Sequence, residues 1–83
     1  MKRRYEDKID HERFGKNLKA IMKEKDVIQK ELAYGVGTSQ GVVSLWVNGK
    51  KVPYAKNLVL IARFLEVSID RLLEGVVLDE IQN

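Results

Sequence analysis

Eighty-three residues make a single domain with a small core, because a chain this short buries only about two-thirds of its surface. The absence of cysteine excludes disulfides and thiolate metal sites, and fits a reducing cytoplasm. A net charge of +3 conceals an asymmetry: residues 1–57 hold thirteen Lys/Arg against seven Asp/Glu, and residues 58–83 hold two against five. Such a split fits either a polyanionic partner on one side or a solvated surface with chance asymmetry.

Residues 1–9 read as a basic N-terminal arm. Met1-Lys2-Arg3-Arg4 leads into charged residues, not the apolar run of a secretory leader. The first helix follows, with Phe14, Leu18, Ile21 and Met22 at i, i+4, i+7 and i+8 on one face. Asp10 is its N-cap, and Ile9 and Phe14 stand at staple positions. It should stop near Lys25-Asp26. A second, shorter helix begins near Gln29, turns Leu32, Ala33 and Val36 inward, and closes at Gly35 and Gly37. A third starts after Ser39 as N-cap, with Val43, Trp46 and Val47 apolar, and ends at Asn48-Gly49. Its composition is weak for a helix, so packing must hold it. Lys50-Lys51-Val52-Pro53 is a loop. Leu58, Ile61, Ala62 and Leu65 define a fourth helix. Ser68 caps a fifth, with Val67 and Leu72 as its staple pair and Gly75 as its stop. The expected fold is all-α, five short helices, with residues 10–75 as the folded unit and 76–83 as a tail.

One stretch departs from the rest. Leu32 to Gly49 runs eighteen residues without a charge. It holds four glycines and several hydroxyl and amide side chains, so it is not the apolar run that a membrane span requires. It does meet the demands of a helix-turn-helix. A small residue, Ala33, faces the second helix of the motif. Gly37 tolerates the positive φ of the turn. Val43 and Trp46, three apart, supply the inner face of the second helix. Gln40, Gly41, Ser44, Leu45 and Asn48 are then left on its outer face.

Gln29 with Leu32-Ala33, Gly37, S-L-W-V-N-G at 44–49, Pro53 and LIARFLEVSIDRLLEG at 60–75 carry a resemblance. The stretch from Phe14 to Gly75 resembles the lambda-repressor-like, Cro/C1-type (XRE) helix-turn-helix DNA-binding domains. QGVVSLWVNG looks closest to phage repressors. The resemblance implies a sequence-specific regulator of transcription, a repressor, bound as a homodimer to a palindromic duplex-DNA operator. Its third helix would lie in the major groove. An uncharged recognition helix reads hydrogen-bond and methyl patterns, while charges on the flanks hold phosphate.

Gln40 matches the family's main base-reading position, and its amide can pair bidentately with adenine N6 and N7. Gln29 matches a position that binds phosphate at a helix N-terminus and braces the glutamine compared here with Gln40. Gly41 stands where many relatives carry a polar reader, so that base is unread or the backbone comes closer. Ser44 can donate to DNA, or bond back to the Gln40 carbonyl. Leu45 is a thymine-methyl contact or an ordinary surface leucine. Trp46 is core. The expected phosphate contacts are Gln29, Lys30, Ser39, Asn48, Lys50, Lys51 and Tyr54, with Lys56 nearby. Asn48 can also serve as a C-cap, and Tyr54 can instead cover the loop. Lys2, Arg3 and Arg4 suit an arm reaching round the duplex, or form a frayed terminus.

Two departures from the family pattern stand out. Ile28 occupies the place of a Ser or Thr N-cap, an omission that typically costs ~1 kcal/mol, and Gly35 costs roughly 1 kcal/mol relative to alanine within a helix. The second helix should therefore be soft unless Asp26 or bound phosphate compensates. Leu72, Leu73, Val76, Val77, Leu78 and Ile81 either form a dimer surface or close the monomer core. A different class of function is a protein-interaction module of the same fold, an antitoxin or adaptor, acting through Leu45 and the tail. There is no nucleophile–base–orienter set, no phosphate-binding glycine loop and no cluster of metal ligands, with His11 alone. No enzyme activity, cofactor, metal or small-molecule ligand is expected.

Overall fold

In the computed structural model, residues 8–77 are described. The helices are α1 (His11–Glu24), α2 (Gln29–Val36), α3 (Gln40–Val47), α4 (Ala55–Leu65) and α5 (Ile69–Leu72), the five that apolar spacing predicts. Among the described residues, none is long and apolar enough to cross a membrane.

Local chemistry sets most of the boundaries. The Asp10 carboxylate accepts from the Arg13 N–H at 2.9 Å, Ser39 Oγ from Val42 at 3.2 Å and Ser68 Oγ from Arg71 at 3.0 Å, each satisfying an orphan donor of a first turn. Two helices end without glycine. Asp26 follows α1 at φ 59°, and Glu66 ends α4 at φ 58°, both in the left-handed region that most side chains resist.

The helices bury one continuous core. α1 contributes Phe14, Leu18, Ile21 and Met22, α2 Leu32, Ala33 and Val36, α3 Val43 and Trp46, α4 Ile61, Ala62 and Leu65. α2 packs on α3 and α4, α1 on α3, and α5 closes against α1 and α4. Trp46 is 2% exposed and fixes α3 to the rest of the domain.

The C-terminal end corrects one expectation. Leu72 and Val76 are 0% and 2% exposed, so both belong to the monomer core and are not available as a dimer surface. Backbone geometry is the reason. Gly75, at φ 73°, turns the chain back, and the Val76 carbonyl accepts from the Asp10 N–H at 2.7 Å. Ile9 and Val77 form an antiparallel bridge beside it. The start of the tail is thereby tied to the entrance of α1. Leu73 is half-buried and Val77 is 49% exposed. Leu78 and Ile81 lie outside the described residues.

Two polar links hold α5 that apolar spacing does not reveal. Asn17 Nδ2 donates to the carbonyls of Leu72 and Glu74, each at 2.9 Å. Arg71 pairs with Glu24 through its two terminal guanidinium nitrogens. The Arg71 hydrogen bonds lower the Glu24 pKa, and the same bonds raise that of Arg71.

Candidate nucleic-acid interface

The turn between α2 and α3 is three residues long. Gly37 takes φ 85°, and its N–H and that of Thr38 both return to the Ala33 carbonyl at 2.9 Å. This closes the end of α2 in left-handed geometry and aims the chain into the Ser39 cap. Ala33 is 5% exposed, and its small side chain leaves room for the crossing.

α3 then has two different faces. Val43 and Trp46 point inward. Gln40, Gly41, Leu45 and Asn48 are exposed, and Ser44 is half-buried. Leu45 is 41% exposed, an apolar side chain partly open to solvent. Asn48 is the C-cap: its N–H donates to the Ser44 carbonyl at 2.9 Å, and the Gly49 N–H donates to that of Trp46 at 3.2 Å. Its side chain adds a contact that spacing alone leaves open: Asn48 Nδ2 donates to Ser44 Oγ at 3.1 Å. Among the described residues, the alternative bond from Ser44 back to the Gln40 carbonyl is not formed, and the Asn48 link is the one hydrogen bond of the hydroxyl.

Cationic and polar groups flank this face. Lys30 is exposed at the first turn of α2, and Lys50 and Lys51 follow α3. Gly49, at φ 73°, directs the chain so that the Lys50 N–H bonds the Leu45 carbonyl at 2.9 Å, placing both lysines at the helix end. Tyr54 is 77% exposed and its side chain makes no cap bond to α4, so its hydroxyl is accessible. Lys56 is exposed in the first turn of α4. Ser39 engages the Val42 N–H as an acceptor, which leaves its proton available. Lys2, Arg3 and Arg4 lie outside the described residues.

Gln29 is half-buried at the start of α2. Among the described residues, no hydrogen bond joins it to Gln40. Gln29 shares a shallow groove with Lys19, Lys23, Met22, Val27, Ile28 and Val47. Lys19 and Lys23 were not among the residues picked from sequence. Their i, i+4 spacing was the available signal, since it places both on one stripe of α1, but nothing in the sequence sets that stripe beside Gln29.

The expected softness of α2 is corrected in part. Ile28 supplies no side-chain cap, but Glu31 Oε1 accepts from the Ile28 N–H at 3.0 Å, half of a capping box. The compensation comes from Glu31 instead of Asp26. Gly35 also has a packing reason. A Cβ there would lie 2.3 Å from the Phe64 ring, so the glycine lets the α4 aromatic lie against α2. Ile28, Tyr34 and Phe64 line an open groove on that side, with exposures of 60%, 90% and 40%.

Residues 18–72 match the helix-turn-helix family model HTH_3. The chain is 34% identical over 62 residues to the HTH-type transcriptional activator BcrR of Enterococcus faecalis, covering 75% of this chain and 30% of that protein. It is also 34% identical over 62 residues to the HTH-type transcriptional regulator YqaE of Bacillus subtilis, covering 75% of this chain and 53% of that one. The chain thus spans about a third to a half of the length of these relatives. Among solved structures, the P22 c2 repressor bound to a synthetic operator superposes with a TM-score of 0.70 at 31% identity, over 75% of this chain and 94% of that one. The chain belongs to the helix-turn-helix family of the lambda-repressor-like, Cro/C1 (XRE) type, a family of DNA-binding transcription regulators.

Proposed function

We propose that this chain is a sequence-specific repressor of transcription that binds a palindromic operator as a homodimer in the cytoplasm. One observation carries the reading: α3 offers an exposed, uncharged face between basic flanks. Gln40, Gly41, Ser44 and Leu45 meet base edges in the major groove. Gln29, Lys30, Ser39, Asn48, Lys50, Lys51 and Tyr54 hold phosphate, with Lys19 and Lys23 added beside Gln29. Residues 10–75 are the binding unit. Lys2, Arg3 and Arg4 extend its reach along the duplex. Leu73, Val77, Leu78 and Ile81 remain for the dimer contact, which sets two recognition helices about one DNA turn, roughly 34–36 Å, apart.

A binding selection from a random duplex library, near physiological salt, tests this. Recovery of a palindrome is the expected result, and affinity for it should fall steeply as salt rises. Binding without any shared sequence would overturn the base-reading assignments. The exposed groove of Ile28, Tyr34 and Phe64 favours a second reading, a protein-interaction module. No duplex binding at any salt would move the assignment there.

A further inference from the structure

Six glycines stand in the chain, and the fold accounts for five of them. Gly37, Gly49 and Gly75 take φ of 85°, 73° and 73°, where a side chain is resisted. Gly15 and Gly35 lie in helices with no room for a Cβ, which would run into the backbone at the end of α3 and into the Phe64 ring. Gly41 has neither reason. It is the second residue of α3 and is exposed. Among the described residues, a Cβ built there meets only Ser39 Oγ, at 3.8 Å, an ordinary contact. The protein by itself would gain from alanine at this position, because glycine leaves the unfolded chain more freedom to lose.

Two readings of this empty place differ in sign. If Gly41 is a gap over an unread base, a methyl group there fills open space and binding is unchanged or improved. If the duplex closes on the bare Cα, the methyl group collides. The geometry of the helix decides between them. At about 100° per residue, Gly41 and Asn48, seven apart, run along the middle of the exposed face of α3, with Gln40 on one side and Leu45 on the other. A surface that touches both Gln40 and Leu45 comes nearest to the helix along that middle line. Gly41 is the member of the line at the N-terminal end, the end that meets base edges in this mode of docking.

We propose that Gly41 is a specificity-determining residue through its lack of a side chain: base edges pack directly on its Cα, and a Cβ is excluded there. This rests on the base-reading assignment of α3. The gain falls to the neighbours. With no Cβ on the middle line the helix sits deeper, and Gln40 and Leu45 reach edges from which they would otherwise stand off. The phosphate contacts on the flanks position the protein and do not need this depth.

The test compares wild type, Gly41→Ala and Gly41→Val on the duplex that the wild-type selection recovers and on an unrelated duplex, at one salt concentration, beside thermal melts of each protein. Gly41→Ala should melt higher than wild type yet bind the selected duplex roughly ten- to a hundredfold more weakly, the scale of a methyl group forced into a filled contact. Gly41→Val should lose more. Binding to the unrelated duplex, carried by lysines on phosphate, should stay within about twofold. The opposed signs of melting and binding separate a collision with DNA from damage to the fold. Gly41→Ala binding the selected duplex as tightly as wild type would mark a gap over an unread base, and would overturn the proposal while sparing base reading by Gln40. Equal losses with alanine and valine would mark stiffening at the start of α3, and equal losses on both duplexes a clash with the phosphate backbone; either result overturns it. A wild-type selection without any motif would overturn the base-reading assignment and this proposal together.

Discussion

Replacing Gly15 by alanine tests how closely α1 and α3 must approach. By helix propensity alone this substitution should stabilise the protein, since glycine inside a helix costs about 1 kcal/mol relative to alanine. The structure predicts the opposite sign. A Cβ at Gly15 would lie 2.6 Å from the Val47 carbonyl oxygen, 2.9 Å from that of Trp46 and 3.0 Å from the Gly49 nitrogen. These are backbone atoms of the last turn of α3 and the turn just after it, and no rotamer change moves them. Restoring ordinary contact, about 3.4 Å, opens the helix pair by roughly 0.8 Å at Val47 and loosens Trp46 in its buried site. Overpacking of this kind costs typically 1–3 kcal/mol and more where backbone must shift. We expect Gly15→Ala to be destabilised by about 1–2 kcal/mol, the upper part of that range less the propensity gain of about 1 kcal/mol. For a domain of this size each kcal/mol lowers the melting temperature by about 4–8 °C. Gly41 is the internal control. It lies in the same kind of helix with Ser39 Oγ, at 3.8 Å, the nearest atom to an added Cβ, so Gly41→Ala should gain about 0.4–1 kcal/mol. Thermal melts followed by circular dichroism and urea titrations read both. A Gly15→Ala protein as stable as wild type, or shifted in the same direction as Gly41→Ala, would refute the close-approach argument.

Three further outcomes follow from the caps and links. Ile28→Ser supplies the side-chain oxygen missing at the start of α2 and completes the box already half-made by Glu31, so it should stabilise by about 1 kcal/mol and slow amide exchange over residues 29–35. Asn17→Ala removes two donors from the Leu72 and Glu74 carbonyls and should cost about 1–2 kcal/mol, with the fastest-exchanging amides of the variant in α5. Glu24 has its pKa lowered by the Arg71 pair; its contribution is present above the unfolded-state carboxylate range and is lost as pH falls through the folded value. Urea denaturation across acid pH should therefore show the gap between wild type and Glu24→Gln closing below about pH 4.

Apolar periodicity was enough to locate the helices and nearly every core residue, because a stripe at 3.6-residue spacing has one way to be buried. The caps at Asp10, Ser39 and Ser68 were readable for the same reason: each is a local event within three residues. What the sequence left open depends on contacts between distant segments. Whether Leu72 and Val76 face a second copy or the core depends on Gly75 turning the chain back to Asp10, sixty-five residues away. Gly35 reads as a defect in α2 until Phe64 of α4 is set beside it. Lys19 and Lys23 read as one more solvated stripe until the groove beside Gln29 is formed. On α3 itself, spacing places Ser44 and Asn48 on one side, but the polarity of their hydrogen bond is visible only with side chains in place.

The eighteen uncharged residues that interrupt a highly charged chain follow from two demands on one segment. Toward the protein, α2 and α3 must cross closely, which calls for Ala33, Gly37 and an inner face of Val43 and Trp46. A charge there would be buried without a partner at a cost of several kcal/mol. Toward the groove, the proposed base reading requires α3 to tell one base from another. A lysine on that face would gain affinity from any nearby phosphate, nearly independent of sequence. Short neutral groups with fixed donor and acceptor directions gain only when the right edge is opposite them. On the proposed reading, the charge is displaced to Lys30, Lys50 and Lys51, just before and just after the neutral stretch, where it would add attraction without blurring discrimination. Moving one of those lysines inward, as in Leu45→Lys, should therefore tighten binding to unrelated duplexes while narrowing the gap to the selected site. A larger gap would show that neutrality of the face is not what gives it selectivity.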